Sequence, residues 1–132
     1  SLTTFGCKIS GERAFKMAGL TPKDVDVAEL YDCFTITALI ELEDLGFCAK
    51  GEGGPFVEGG SRIGLGGDLP MNTNGGMLSF ATGGIFHITE AVSQLRGEAG
   101  ERQVKDAKVA VAHGNGGILS AHATLVLGTE RI

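Results

Sequence analysis

A chain of 132 residues is long enough for one domain with a genuine core, and 42% apolar with 20% charged residues is ordinary globular composition. The formal net charge of −5 argues against nucleic acid as a partner. Three cysteines without paired spacing exclude a disulfide framework and a Cys-x-x-Cys zinc pattern, which leads us to expect free thiols, no metal and a cytoplasmic setting.

No apolar run reaches the length of a membrane span, and no signal peptide is expected. The 22 glycines are about double the usual share and should lie mostly in loops. The abrupt opening, Ser1-Leu2-Thr3-Thr4, is compatible with a piece of something longer.

In chain order, residues 10–19 predict a helix, with Ser10 as candidate N-cap, Phe15 and Ala18 on its apolar side and Gly19 as the stop. Pro22 marks a polar turn. Residues 26–31 predict a short strand in which Val27, Glu29 and Tyr31 share a face. Residues 34–45 predict the clearest helix, with a stripe of Ala38, Leu39, Leu42 and Leu45 inward and Glu41, Glu43 and Asp44 facing water. Residues 51–76 read as an extended, Gly-rich surface excursion, of a kind that is usually functional.

A further helix is predicted over 84–95, with Ile85, Ile88, Val92 and Leu95 inward, Thr82 as candidate N-cap and Gly97 as the stop. His87 reads as a helix-surface residue. Strands follow over 107–112 and 121–127, with residues 113–117 as a tight turn between them. The order predicts an α/β fold in which a mixed sheet is layered between helices.

The chemistry gathers at Tyr31-Asp32-Cys33-Phe34, where the first strand hands over to a helix. A thiol at a helix N-terminus feels the positive end of the dipole, and here a phenol and a carboxylate flank it. Two Gly-rich loops, 72–84 and 113–117, are placed to close over this junction.

Four stretches in order resemble the C-terminal half of the thiolase superfamily, and more narrowly its sterol-carrier-protein, lipid-transfer-type branch. They are residues 17–26, the run Ala28-Glu29-Leu30-Tyr31-Asp32-Cys33-Phe34, the run Asn72-Thr73-Asn74-Gly75-Gly76-Met77-Leu78-Ser79, and His113-Gly114-Asn115-Gly116-Gly117. The second is similar to the branch's His-Asp-Cys-Phe loop. The third resembles the run before the family's Gly-His-Pro loop. The fourth falls where ordinary thiolases have Cys-x-Gly-Gly-Gly.

The resemblance implies a thiolase half-domain acting on acyl-CoA thioesters in lipid or sterol metabolism, with coenzyme A as part of the substrate and no other cofactor. It implies an N-terminal half that carries the nucleophilic cysteine, so that this half alone should be inert. It also implies a homo-oligomer, and in the aldolase members a small zinc-ribbon/OB-fold partner.

Residue by residue, the resemblance makes Cys33 an acid/base, with a buried apolar thiol as the alternative. Tyr31 stands where the family holds an oxyanion-hole water, or is a strand aromatic with no chemistry. His113 either pairs with Cys33 or only caps a turn. Asn74 and Gly75 belong to the substrate loop, and Asn115, Gly116 and Gly117 offer backbone N–H groups to an oxyanion. The Gly-His-Pro histidine is missing. Read without a gap, Thr82 takes its place. His122, Cys7 and Cys48 read as structural.

Two enzymatic readings follow, an acyltransferase of the acetyl-CoA acetyltransferase type and a thiolase-fold aldolase cleaving a β-hydroxyacyl-CoA. A third reading is a non-catalytic assembly or carrier-binding domain.

Overall fold

The computed structural model describes residues 1–79 and 83–130. Its elements are helix α1 (Cys7–Ala18), strand β1 (Val27–Leu30), helices α2 (Thr35–Asp44), α3 (Gly53–Val57) and α4 (Ile85–Arg96), and strands β2 (Val109–Gly116) and β3 (Ala121–Gly128). The three strands form one mixed sheet in the order β1-β2-β3. β1 runs parallel to β2, with Leu30 opposite His113, and β2 runs antiparallel to β3, with Asn115 opposite His122.

Alternation along the strands sends successive side chains to opposite faces, and each face has its own helices. Ala28, Leu30 and Val111 pack with Cys7 and Phe15 of α1 and Leu42 of α2, and with Leu45 just beyond it. Val27, Ala110 and Ala112 pack with Ala91, Ile88 and Leu95 of α4 on the other face. The layered α/β expectation therefore holds, with helices on both sides of the sheet.

Local chemistry accounts for most element ends. Gly19 and Gly97 close α1 and α4 in the left-handed region, at φ 68° and 71°, each sending its N–H back to a carbonyl of the last turn. Thr21 N and Oγ1 both donate to Asp24 at the Pro22 turn, at 2.7 and 2.8 Å. α1 begins three residues ahead of the expected start, with Gly6 rather than Ser10 at its N-cap. Ser10 instead lies within α1, facing β3, where its hydroxyl meets Thr124 at 2.8 Å.

Two amphipathic readings are corrected. On α2, Glu41 and Asp44 do not face water; they are 0% and 7% exposed. The helix is flanked by both α1 and α3, so more than one stripe is covered. Asp44 then ties the chain's start to the loop beyond α2, accepting from Phe5 N at 2.7 Å and Lys50 Nζ at 2.8 Å. On α4 the buried residues are His87, Glu90, Ala91 and Gln94, whereas Ile85 is exposed. Its polar face is inward because a polar network waits there.

The 51–76 excursion contains the short helix α3 and a series of turns, then returns to the sheet. Ala28 N donates to Pro70 O, and Asn72 N to Ala28 O, so Met71 bridges to the free edge of β1. Asn72 extends that pairing with its side chain: Oδ1 accepts from Leu30 N at 2.7 Å and Nδ2 donates to Leu30 O at 2.9 Å. No helix among the described residues is long and apolar enough to cross a membrane.

Leu42 is fully buried between the α1 and sheet layers. We expect Leu42→Ala to cost about 2–5 kcal/mol of unfolding free energy, the usual range for a buried leucine truncation, read as a shifted midpoint in urea titration.

Candidate active site

The end of β1 is pinned twice to β2. Tyr31 N donates to His113 O at 3.1 Å, and Tyr31 O accepts from Asn115 Nδ2 at 3.2 Å. The chain then turns through Asp32 and Cys33 into α2. Cys33 thus sits just ahead of the first turn of α2, where amide N–H groups lack intrahelical partners. The expected strand-to-helix junction is present, with Tyr31 and Cys33 both partly exposed on it.

Asp32 is nearly buried and organises the loop opposite. Its Oδ1 accepts from Met77 N at 2.8 Å and its Oδ2 from Leu78 N at 3.4 Å. Gly76 passes so close that a Cβ there would strike the Asp32 carboxylate, and its φ of 74° also favours glycine. Asp32, Thr35, Ala38, Leu39, Met71, Asn72, Gly75 and Leu78 are among the residues around a mostly apolar cleft of about 430 Å³ beside the junction. Gly75 therefore lines a cavity. Asn74 is occupied in shaping the turn: Oδ1 accepts from Gly76 N at 2.9 Å and Nδ2 donates to Phe86 O at 3.4 Å.

His87 corrects the sequence reading most sharply. It is not on the helix surface but fully buried. Its Nδ1 lies 3.4 Å from Glu29 Oε2 and its Nε2 3.5 Å from Asp32 Oδ1, ionic contacts rather than hydrogen bonds. Tyr31 meets the ring edge-on, with centroids 6.2 Å apart.

Burial alone would lower the pKa of His87. The Asp32 and Glu29 carboxylates outweigh that and hold it up at about 9. Burial likewise raises the Asp32 carboxyl, but His87 and the Met77 and Leu78 N–H groups leave it below its ordinary value. Glu29 in turn is held by Thr73 Oγ1 at 2.6 Å. Gln94 Nε2 reaches both Thr73 and Glu90 at 3.1 Å, and the Arg102 guanidinium clasps both oxygens of Glu90. The alternation of β1 placed Glu29 and Tyr31 on one face, as expected. The residue four along from Gly83 that meets them was hidden, because helix phase depends on packing.

His113 and Asn115 share the other face of the sheet. The anticipated pairing of His113 with Cys33 is not the arrangement found. His113 Nε2 faces His122 Nδ1 at 3.2 Å and its Nδ1 faces Thr124 Oγ1 at 2.9 Å. Cys33 Sγ has Thr37 Oγ1 at 3.6 Å and Asn115 Oδ1 at 3.8 Å instead. Burial and the neighbouring His122 and His87 push His113 down to about 4, so it is neutral near pH 7.

Residues 113–116 are also strand rather than turn. The hairpin turns at Gly117, Ile118 and Leu119, all at positive φ. Asn115 and Gly116 therefore lie in ladder register with His122 and Ala121, not in a free N–H loop, and only Gly117 is at the turn. Thr82 lies outside the described residues, both as N-cap and as the stand-in for the missing histidine.

Cys7, His113 and His122 bring ligand-type atoms within 4.8 Å of one another. The two rings are only 18° from parallel with centroids 5.3 Å apart, so they meet edge to edge and each nitrogen is aimed at the other. Burial, with Asp44 and Glu41 nearby, pushes the Cys7 thiol up to about 12. Cys7 Sγ donates instead to Asp44 Oδ2 at 3.6 Å, and the two histidines join β2 to β3.

A raised histidine pKa stabilises the fold fully below its unfolded value, near 6.5, and the contribution is lost as pH rises through about 9. We expect the urea midpoint to fall between pH 6.5 and 9.5, and His87→Gln to flatten that part of the profile. An unchanged profile in the variant removes His87 as its source.

Residues 1–129 match the family model described as thiolase C-terminal domain-like. An acetyl-CoA acetyltransferase of Methanothermobacter thermautotrophicus is 46% identical over 86% of this chain, which spans 31% of that protein. Sterol carrier protein 2 of Bos taurus is 42% identical over 83% of the chain, spanning 21% of that protein. Among solved structures, one named Ltp2-ChsH2(DUF35) aldolase superposes at a TM-score of 0.90 over 99% of this chain and 34% of its own, with 36% identity. The chain thus spans about a fifth to a third of the proteins it resembles, and the junction of Tyr31, Asp32 and Cys33 stands on a domain that belongs to the thiolase C-terminal family.

Proposed function

We propose that this chain is the acid/base-bearing half of a thiolase-superfamily enzyme acting on acyl-CoA thioesters, in the manner of an acetyl-CoA acetyltransferase. The observation that carries this reading is Cys33, a partly exposed thiol just ahead of α2 with its sulfur between two acceptors, Thr37 Oγ1 and Asn115 Oδ1. Such a thiol suits proton transfer at the α-carbon of a thioester. The nucleophile that would take the acyl group belongs, on this reading, to an N-terminal half, and the isolated domain is inactive. The apolar cleft bounded by Asp32, Asn72, Gly75 and Leu78 suits the acyl portion. No cofactor beyond the coenzyme A of the substrate is needed, and the enzyme is a homo-oligomer working in the cytoplasm.

The second reading is a retro-aldolase. It is favoured by the aldolase among the solved neighbours and by Tyr31, a phenol at the junction. A base takes the proton of the β-hydroxyl, the Cα–Cβ bond breaks, and its electron pair passes into the thioester enolate. That enolate then regains a proton at Cα, and a ketone or aldehyde leaves. This reading carries with it a small zinc-ribbon/OB-fold partner, in keeping with the two-component name of the solved neighbour.

The deciding experiment gives the full-length protein a β-ketoacyl-CoA with free CoA, and separately a β-hydroxyacyl-CoA, followed by intact mass and product analysis. An acyl adduct with thiolysis products is the expected result. Ketone or aldehyde release without an adduct selects the aldolase, and Tyr31→Phe should then lower its rate by about 10²-fold or more. If Cys33→Ala leaves both activities intact, Cys33 is only a packing residue.

A further inference from the structure

Asn115 is the one described side chain that touches Cys33, Tyr31 and α2 together. Its Nδ2 donates to Glu41 Oε1 at 2.7 Å and to the carbonyl of Tyr31 at 3.2 Å. Both amide protons therefore have acceptors, and a flipped amide would set its own oxygen against the Tyr31 carbonyl, which has no proton to give. Flipping is costly because one of the two acceptors, Glu41, is fully buried and would lose its N–H without water to replace it. The orientation that remains turns Asn115 Oδ1 toward Cys33 Sγ, 3.8 Å away.

Glu41 is the stronger of the two anchors. It is 0% exposed on α2, one turn along from Thr37, and its bond to Asn115 is the shorter one. His113 Nε2 stands 3.6 Å from the same oxygen, and Glu41 Oε2 has no hydrogen-bond partner among the described residues. A glutamate placed there is poorly explained by stability alone, because an unsatisfied buried carboxyl oxygen is destabilising. Burial pushes its carboxyl up to about 8, against the pull of the Asn115 N–H. Protonated or not, it keeps a carbonyl-type oxygen free to accept from Asn115.

We propose that Glu41 is a positioning residue for Cys33, acting through Asn115: it locks the amide so that an acceptor oxygen, and not the NH₂, faces the sulfur. Thr37 Oγ1, the second neighbour of the sulfur, completes the acceptor pair. This rests on the reading of Cys33 as the acid/base of the site. A sulfur held as S–H is suited to give a proton to a carbanion, whereas one facing an N–H donor is suited to act as a nucleophile.

The test is the rate of iodoacetamide alkylation at Cys33 in the full-length protein, followed by peptide mass mapping, with the partly exposed Cys48 as internal reference and the buried Cys7 as a check that the fold stays closed. Glu41→Leu removes the anchor and lets the Asn115 amide turn its NH₂ to the sulfur. Cys33 alkylation should rise about tenfold, the worth of one hydrogen bond to a thiolate. Glu41→Gln keeps an acceptor oxygen and should restore the wild-type rate to within about twofold. An unchanged rate in a folded Glu41→Leu protein, checked by circular dichroism, overturns the proposal.

Should Glu41→Leu fail to fold, Asn115→Asp decides. A carboxylate facing the sulfur should slow alkylation by about tenfold, and an unaltered rate overturns the proposal equally. The outcome is independent of whether Cys33 is catalytic, because Cys33→Ala activity measures that separately.

Discussion

Asp32 is the constraint on which the site depends. One carboxylate meets a buried histidine from α4, two backbone N–H groups from the glycine-rich loop, and the turn between β1 and α2. Remove its charge and three elements lose their common partner at once. The loop could then no longer keep Gly76 pressed against the turn, and the cleft beside Thr35 and Ala38 would lose one wall. Buried charge of this kind is weak evidence for net stability, because desolvation takes back much of the Coulombic gain. Its effect here is to hold one geometry of Tyr31 and Cys33 against alternatives.

The same logic extends outward along α4. Arg102 neutralises Glu90, and Gln94 bonds Glu90, Thr73 and the carbonyl of Arg102. Thr73 then holds Glu29, and Glu29 lies against His87. Polar residues replace apolar ones along a helix face that would ordinarily be core, so the loop 72–78 is fixed by directed bonds as well as by burial. The bonds among Thr73, Glu90, Gln94 and Arg102 are directional and favour a single arrangement, and the ionic contacts of His87 with Glu29 and Asp32 complete it.

On the opposite face the sheet handles its polar residues differently. His113 is neutral, and it shares hydrogen bonds with His122 and Thr124 across the β2–β3 ladder. Two residues further along the same face, Asn115 reaches the junction. One strand thereby supplies a buried neutral histidine and an amide at the junction from neighbouring positions on one face. The parallel pairing of β1 with β2 brings the second of these up to Cys33.

Much of the architecture was legible in the residues themselves. Gly19, Gly46 and Gly97 mark helix ends because only glycine enters the left-handed region without cost, and that chemistry is local. The alternation over 27–31 correctly placed Glu29 with Tyr31 and set Leu30 on the other side. The junction at Cys33 followed from an apolar run giving way to a helical period.

What the residues alone did not decide was which side of each helix meets protein. α2 is covered by α1 and α3 together, so Glu41 and Asp44 are buried although their spacing reads as solvent-facing. α4 turns His87 and Glu90 inward because Glu29, Asp32 and Arg102 wait there, and no period along α4 can report charges on other elements. Local backbone preference is written in neighbouring residues. The partner of a buried charge is a long-range fact, and only the folded chain supplies it.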